Sequence, residues 1–482
     1  MSSRISFATQ LRRIFSAAFM LFSLSFPLLV GTPINNYQDP VIFHTVMGSD
    51  KYFNPTGKAG FALHISPFYQ HTHSANTPNG TKTSNGNVFG AWNMAGLFLN
   101  DAPRSTAQTF AFYNQTKTFL RNLKNEPAAN PYSKDYTNEA LFNPDEEAYN
   151  ALSYHDVSLR YEKLGLRGQI NFDLGIGLGM NVKGGVVNMK NRPNNFALQQ
   201  AFGQNAGLLP AGDSGAAPSD AAKAQALGIY ERLLGANARR QLFKEIGFDA
   251  SEYDVTDLED LYANIYWHVP IKIKEHGEHV FSVVPHLSVG ASLPMGKERD
   301  YNKLFAVING NDGYAGLTAE GAIALDFPSM MQLSFGGGVT MYNTRDLVGY
   351  HVPTSDFQSG LYPWRTSVSR QPGPLWYANI SMKADDIMSK KDVPNFSVYF
   401  DYIYAQHMHD VIKLKEPNAA LAGAFKPELL QRDSSWRAQI LHGGIKCGLS
   451  KNVYLTFSAQ GTISGARTYR PTTLLGGLIM SF

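Results

Sequence analysis

The sequence predicts an all-β fold: a transmembrane up-and-down antiparallel β-barrel of about fourteen strands, with twelve as the alternative, and a helical insert in one long loop. Three observations carry this expectation. From about residue 158 onward, apolar residues recur at every second position in segment after segment, the period of a strand with lipid on one side and water on the other. The segments come in pairs, and tight turns alternate with long polar connections, as short inner turns and long outer loops do in membrane barrels. The last stretch, TTLLGGLIMSF (Thr472 to Phe482), is an apolar strand that runs to the final residue, where most chains fray in polar residues.

The elements follow in chain order. Residues 1–31 open with Arg4, Arg12 and Arg13 and continue in an apolar run from about Ile14 to Val30, the layout of a signal peptide. Residues 32–57 have no strand pattern and form a candidate N-terminal plug. The barrel is expected over 58–482. Its first candidate strands are Lys58 to Tyr69 and Asn87 to Leu99; residues 100–157 are Asn-rich and weakly patterned. Eleven further strands follow. Leu164, Leu166, Ile170, Phe172 and Leu174 share one face against Lys163, Arg167, Gln169, Asn171 and Asp173, and Gly175-Ile176-Gly177 turns the chain into Leu178, Met180, Val182 and Val186. The same form recurs from Ala263 to Ile273, Phe281 to Leu293, Leu317 to Phe327, Met331 to Met341, Trp376 to Met382, Phe396 to Tyr402, Leu441 to Leu449, Val453 to Ala459 and in the closing strand. Between them, residues 190–261 form a helical outer-loop insert, because Ala222, Ala226, Ile229 and Leu233 recur at helical spacing. Long loops are also expected at about 344–373 and 406–434.

Composition supports the same class. Charged residues are 17% of the chain, below the roughly 25% of soluble domains, while 43 Gly, 24 Tyr and 30 Phe suit close-packed strands and aromatic girdles. The net charge of +3 gives no reason to expect nucleic acid. The single Cys447 excludes an internal disulfide. No motif for chemistry survives its context. His71 and His73 lack a third ligand nearby, GDSG at Gly212 to Gly215 lacks partner residues, and GIGLG at Gly175 to Gly179 sits in a hairpin turn. NGNDGYAG around Asn309 to Gly316 carries Asn309, Asn311 and Asp312 in calcium-loop style but reads better as a polar turn. The expectation is a protein that is not an enzyme, with no cofactor and no metal.

The terminal Phe482, with Met480 and Leu478 at alternate positions before it, resembles the assembly signal of Gram-negative outer-membrane β-barrel proteins. That resemblance implies a bacterial outer-membrane location, surrounding lipid, and delivery by periplasmic chaperones to the barrel-assembly machinery. The expected function is a porin-like channel for small solutes. A distant resemblance to the long-chain fatty-acid transporter family, and a surface adhesin anchored by its barrel, are the alternatives. The candidate pore-lining residues are Lys163, Arg167, Asp173, Lys183, Lys272, Lys274, Glu320, Asp326, Lys383, Asp401 and Lys446. Cations outnumber acids among them, so a weak anion preference is expected. The solute and the oligomeric state are left open.

Overall fold

In a two-residue repeat, one face of every strand must meet lipid and the other the barrel interior, and the strand edges must find partners because lipid offers none. The computed structural model satisfies both conditions. It describes residues 59–88, 92–93, 153–201, 243 and 248–482, apart from 176, 276–277, 328–330, 355–361, 363–364, 386–395, 416–422, 424 and 451. The signal peptide and plug readings, the GDSG stretch and almost all of the helical stretch lie outside these residues.

Twelve antiparallel strands close into a barrel. They are β1 (Gly60–Thr72), β2 (Ser153–Asp173), β3 (Leu178–Ala201) and β4, a broken strand of three pieces (Tyr253–Leu258, Leu261–His268 and Ile271–Glu275). Then come β5 (Glu278–Leu293), β6 (Gly316–Asp326), β7 (Met331–Tyr342) and β8 (Leu375–Ala384). The last four are β9 (Phe396–His407), β10 (Trp436–Gly448), β11 (Val453–Ala466) and β12 (Thr472–Ser481). Each strand pairs with its neighbour in the chain, and β12 returns to β1 with Ala62 opposite Ser481 and His71 opposite Thr472. Phe482 completes the seam: its N–H donates to Phe61 O at 2.8 Å and its carbonyl accepts from Phe61 N at 3.2 Å.

The count is twelve, not the fourteen first expected. The closed barrel takes no strand from the candidate Asn87 to Leu99, of which only Asn87, Val88, Trp92 and Asn93 are among the described residues. Asn85–Asn87 is a 3-10 turn, and Trp92–Asn93 pairs only briefly with β2 at His155 and Tyr154. The turn is held against the outer extension of β2, where the Asn85 and Asn87 side-chain oxygens accept from Leu159 N at 2.7 Å and Val157 N at 3.0 Å. Gly86 lies so close to Val157 that a Cβ there would collide with its carbonyl. Among the described residues of this segment, the apolar Val88 and Trp92 are buried rather than turned to lipid. The insert is also shorter than expected, since β3 runs on to Ala201 and β4 begins at Tyr253.

The outward faces form an exposed apolar belt around the whole barrel. Leu164 on β2, Val289 on β5, Leu317 on β6 and Phe457 on β11 are 59%, 64%, 71% and 54% exposed. A soluble monomer does not display apolar surface on this scale; a membrane barrel requires it. Aromatic rings gather at its rims. Phe61 lies 5.2 Å from Phe172 and 5.7 Å from Phe482 at one end, and Trp376 lies 5.2 Å from Tyr404 toward the other. Above the belt the outward face of β2, β3 and β4 turns charged, with Arg160–Glu162 at 2.6 Å, Lys190–Asp254 at 3.0 Å and an Arg192–Glu252 pair. These exposed pairs mark where lipid ends and add little stability.

Among the described residues, several outer-loop segments are folded. Strands Arg345–His351, Arg365–Gln371 and Val411–Leu414 form a small sheet, and a short helix α1 (Pro427–Asp433) packs beside it. Pro427 starts α1 where a missing N–H costs nothing, and Glu428 and Arg432 complement its dipole. Leu347, Tyr350, Val368, Ile412 and Leu430 from this cap join Phe305 and Val307 from the loop after β5, and Leu159, Tyr161, Val187 and Met189 from the barrel's inner face, in one buried apolar cluster. The expected loops 344–373 and 406–434 thus form a cap over the outer mouth.

Candidate functional site: the polar interior and the outer cap

Strand alternation decides what the interior contains. Lys163, Arg167 and Asp173 on β2, Lys183 on β3, Glu320 and Asp326 on β6, Lys383 on β8, Asp401 on β9 and Lys446 on β10 share the inward faces of their strands, opposite the belt residues. Lys272 and Lys274 differ. They lie on the last piece of β4, opposite Ser282 and His279, and stand exposed at the inner mouth.

The inward residues are tied to one another across strands. Lys163 Nζ donates to Glu259 Oε1 at 2.8 Å, and Arg167 grips the same carboxylate twice, Nη2 to Oε1 and Nε to Oε2, both at 2.7 Å. The Arg167 guanidinium also lies 3.9 Å from the Phe68 ring centroid, a favourable cation–π contact. Ser288 Oγ donates to Glu320 Oε2 at 2.8 Å, His442 Nδ1 lies 2.8 Å from Asp401 Oδ2, and Asn181 Nδ2 donates to Asn171 Oδ1. Lys383 pairs with Asp385 at 3.3 Å, while Lys183 and Lys446 sit over the rings of Tyr262 and Tyr454. The interior is therefore polar and cross-linked, as buried polar groups must be.

Glu259 and Asp260 are absent from the sequence-based list of interior residues, yet both are buried. They occupy the break between the first two pieces of β4. Asp260 Oδ2 accepts from Asn311 N at 2.6 Å and ties down the loop after β5. The signal was present in the sequence, as two adjacent acids between Leu258 and Leu261 where an alternating strand has no place for them. Their charges offset the apparent cation surplus. Lys163 and Arg167 are already neutralised in part, and the cations most open to a solute are Lys272 and Lys274.

The cap is locked by a second network. Arg370 Nε donates to Asp410 Oδ2 at 2.8 Å and its Nη1 to Asp312 Oδ2 at 3.1 Å, and Arg299 Nη2 stands 3.6 Å from that same oxygen. Gly373 N donates to Asp410 Oδ1 at 2.7 Å. With Asp312 held by guanidinium groups and Asn309 Nδ2 donating to Leu258 O at 2.6 Å, the 309–316 stretch is a structural turn. Gly310, Asp312 and Gly313 take the left-handed conformation there. The His71 and His73 rings are 5.7 Å apart, and among the described residues no group of three metal-ligating side chains comes together.

His351 gives the cap a pH dependence. It stacks on Phe248 at 4.3 Å, and its Nδ1 lies 2.7 Å from Tyr362 O. Burial, reinforced by the nearby Arg365 charge and opposed by the Tyr362 bond, lowers its pKa from 6.5 to about 3. Between these values the unfolded cap binds a proton that the folded cap refuses. Its contribution is therefore complete above about pH 6.5 and is lost as pH falls toward 3, by at most ~1.4 kcal/mol per pH unit. Acidification from pH 7 to 4.5 should lower the hydrogen-exchange protection of the cap strands, once the intrinsic exchange rate at each pH is divided out, and His351→Gln should flatten that response. A response of equal size in the variant would rule out His351 as its source.

No family model matches the chain, and no curated protein matches it. Solved structures do. An outer-membrane channel from Pseudomonas putida F1 aligns with 88% of this chain and 96% of its own at 9% identity and a TM-score of 0.42. The β domain of the Bordetella autotransporter BrkA aligns with 88% of this chain and 100% of its own, at 9% identity and 0.35. The translocator domain of the autotransporter NalP from Neisseria meningitidis aligns with 98% and 96%, at 7% identity and 0.33.

Proposed function

We propose that this chain is a bacterial outer-membrane β-barrel channel for small solutes, with the cap covering its outer mouth in the conformation seen here. One observation carries the reading: beneath an apolar belt, the inward face is polar along the barrel, from Lys163 and Arg167 to Asp401 and His442. A barrel that only anchors has no need of charged side chains inside, where each must find partners. The reading includes no enzymatic step and no cofactor. Assembly would depend on periplasmic chaperones and the barrel-assembly machinery acting on the strand that ends at Met480 and Phe482. A weak anion preference rests on Lys272 and Lys274 at the inner mouth. The fatty-acid transporter alternative is not part of the proposal.

Planar-bilayer recording from the purified protein tests this. Discrete conductance steps are expected, with a reversal potential weakly favouring anions. Lys272→Gln with Lys274→Gln should move that potential toward the cation side; an unmoved potential removes the anion preference, and no current from a correctly folded barrel removes the channel. The second reading, a barrel anchoring a surface domain, is favoured by the cap's buried apolar cluster and would then stand. A heat-dependent mobility shift on a denaturing gel reports the fold separately.

A further inference from the structure

The ion cluster beneath the cap has the composition of a ligand site. Arg167 presents Nε and Nη2 in parallel to the two oxygens of one carboxylate, Lys163 adds an ammonium, and Phe68 backs the guanidinium. Fork-to-fork pairing of this kind holds a carboxylate of any origin. In this structure that carboxylate belongs to the chain itself, and its placement is unusual. Glu259 lies outside the regular strand, in the break between Leu258 and Leu261, where its N–H donates to Gly185 O at 2.8 Å. The neighbouring acid, Asp260, is directed to the Asn311 amide. Lys163 pairs opposite Met189, a member of the apolar cluster under the cap. A solute that passed the cap would meet this cluster beneath it.

We infer that Lys163 and Arg167 form a binding station for a small organic carboxylate, and that Glu259 is an internal stand-in with which the solute's carboxylate exchanges. The Phe68 ring, stacked on the Arg167 guanidinium at 3.9 Å, holds that fork in place for a carboxylate. The inference deepens the channel reading and rests on it for the route by which a solute arrives; the site itself is testable without conduction.

The test is calorimetric titration of the full-length, detergent-solubilised protein with benzoate, and with benzamide as the uncharged isostere. Wild type is expected to bind benzoate weakly and benzamide not at all. Glu259→Gln should bind benzoate at least tenfold more tightly, and adding Arg167→Gln to that variant should abolish binding. If Glu259→Gln fails the heat-mobility test of folding, Glu259→Asp, which keeps the charge but shortens the reach, should still strengthen benzoate binding severalfold. Absence of benzoate binding to wild type, equal binding by benzamide, or binding that survives Arg167→Gln overturns the inference. A protein that binds benzoate but passes no current would instead overturn the channel reading alone.

Discussion

Arg370→Met should loosen the cap and raise conductance while leaving the barrel intact. The Arg370 guanidinium is buried between Asp410 and Asp312. Removing it takes away the cation between two buried acids, leaving Arg299 3.6 Å from Asp312 and the Gly373 N–H on Asp410. Breaking a buried pair from one side typically costs about 3–5 kcal/mol. Here the loss falls on the cap alone, because Arg370 lies on the Arg365–Gln371 strand and not on a barrel strand. The cap strands should become sensitive to added protease, open-channel events should become more frequent, and the heat-dependent gel shift should stay as in wild type. Changing Asp312 and Asp410 to asparagine in the same protein should restore much of the protease resistance, since it removes the uncompensated charges. Resistance and conductance both unchanged by Arg370→Met would mean that the cap is not held shut by this network.

Val289→Arg should destabilise the barrel by roughly 2–4 kcal/mol, the cost of placing a guanidinium at the depth of the lipid midplane. Val289 faces outward on β5, flanked in the ladder by Ile265 and Ala319, which face the same way. Thr256→Arg, outward on β4 but among the charged residues above the belt, should change stability little. Urea unfolding in lipid vesicles, followed by tryptophan fluorescence, measures both. Equal losses at the two positions would contradict the belt, and so the membrane placement on which the proposed function depends.

Most of the barrel was legible because its information is local. A period of two assigns faces without knowledge of partners, and the residues read as lipid-facing, such as Leu164, Leu166, Ile380 and Phe457, are exposed on the outer surface. The turn at Gly175 and Gly177 was legible too, since both glycines adopt the left-handed conformation that a tight turn requires. The segment from Asn87 to Leu99 misled for the same reason. Its alternation is genuine, but Val88 and Trp92 turn toward other protein groups instead of lipid, and alternation cannot distinguish the two. The loops at about 344–373 and 406–434 carried no periodic signal, so their fold into a sheet under a shared apolar cluster could not be anticipated.

By itself, the sequence determined which side chains face the interior and which face lipid, because the backbone pleat imposes that choice residue by residue. Only the tertiary structure decided which interior charges remain available to a solute. Glu259 reaches Lys163 and Arg167 across 96 and 92 residues of chain, through the register of β2 with β3 and of β3 with β4. Opposite charges neutralise one another by distance in space, and no local pattern encodes that distance.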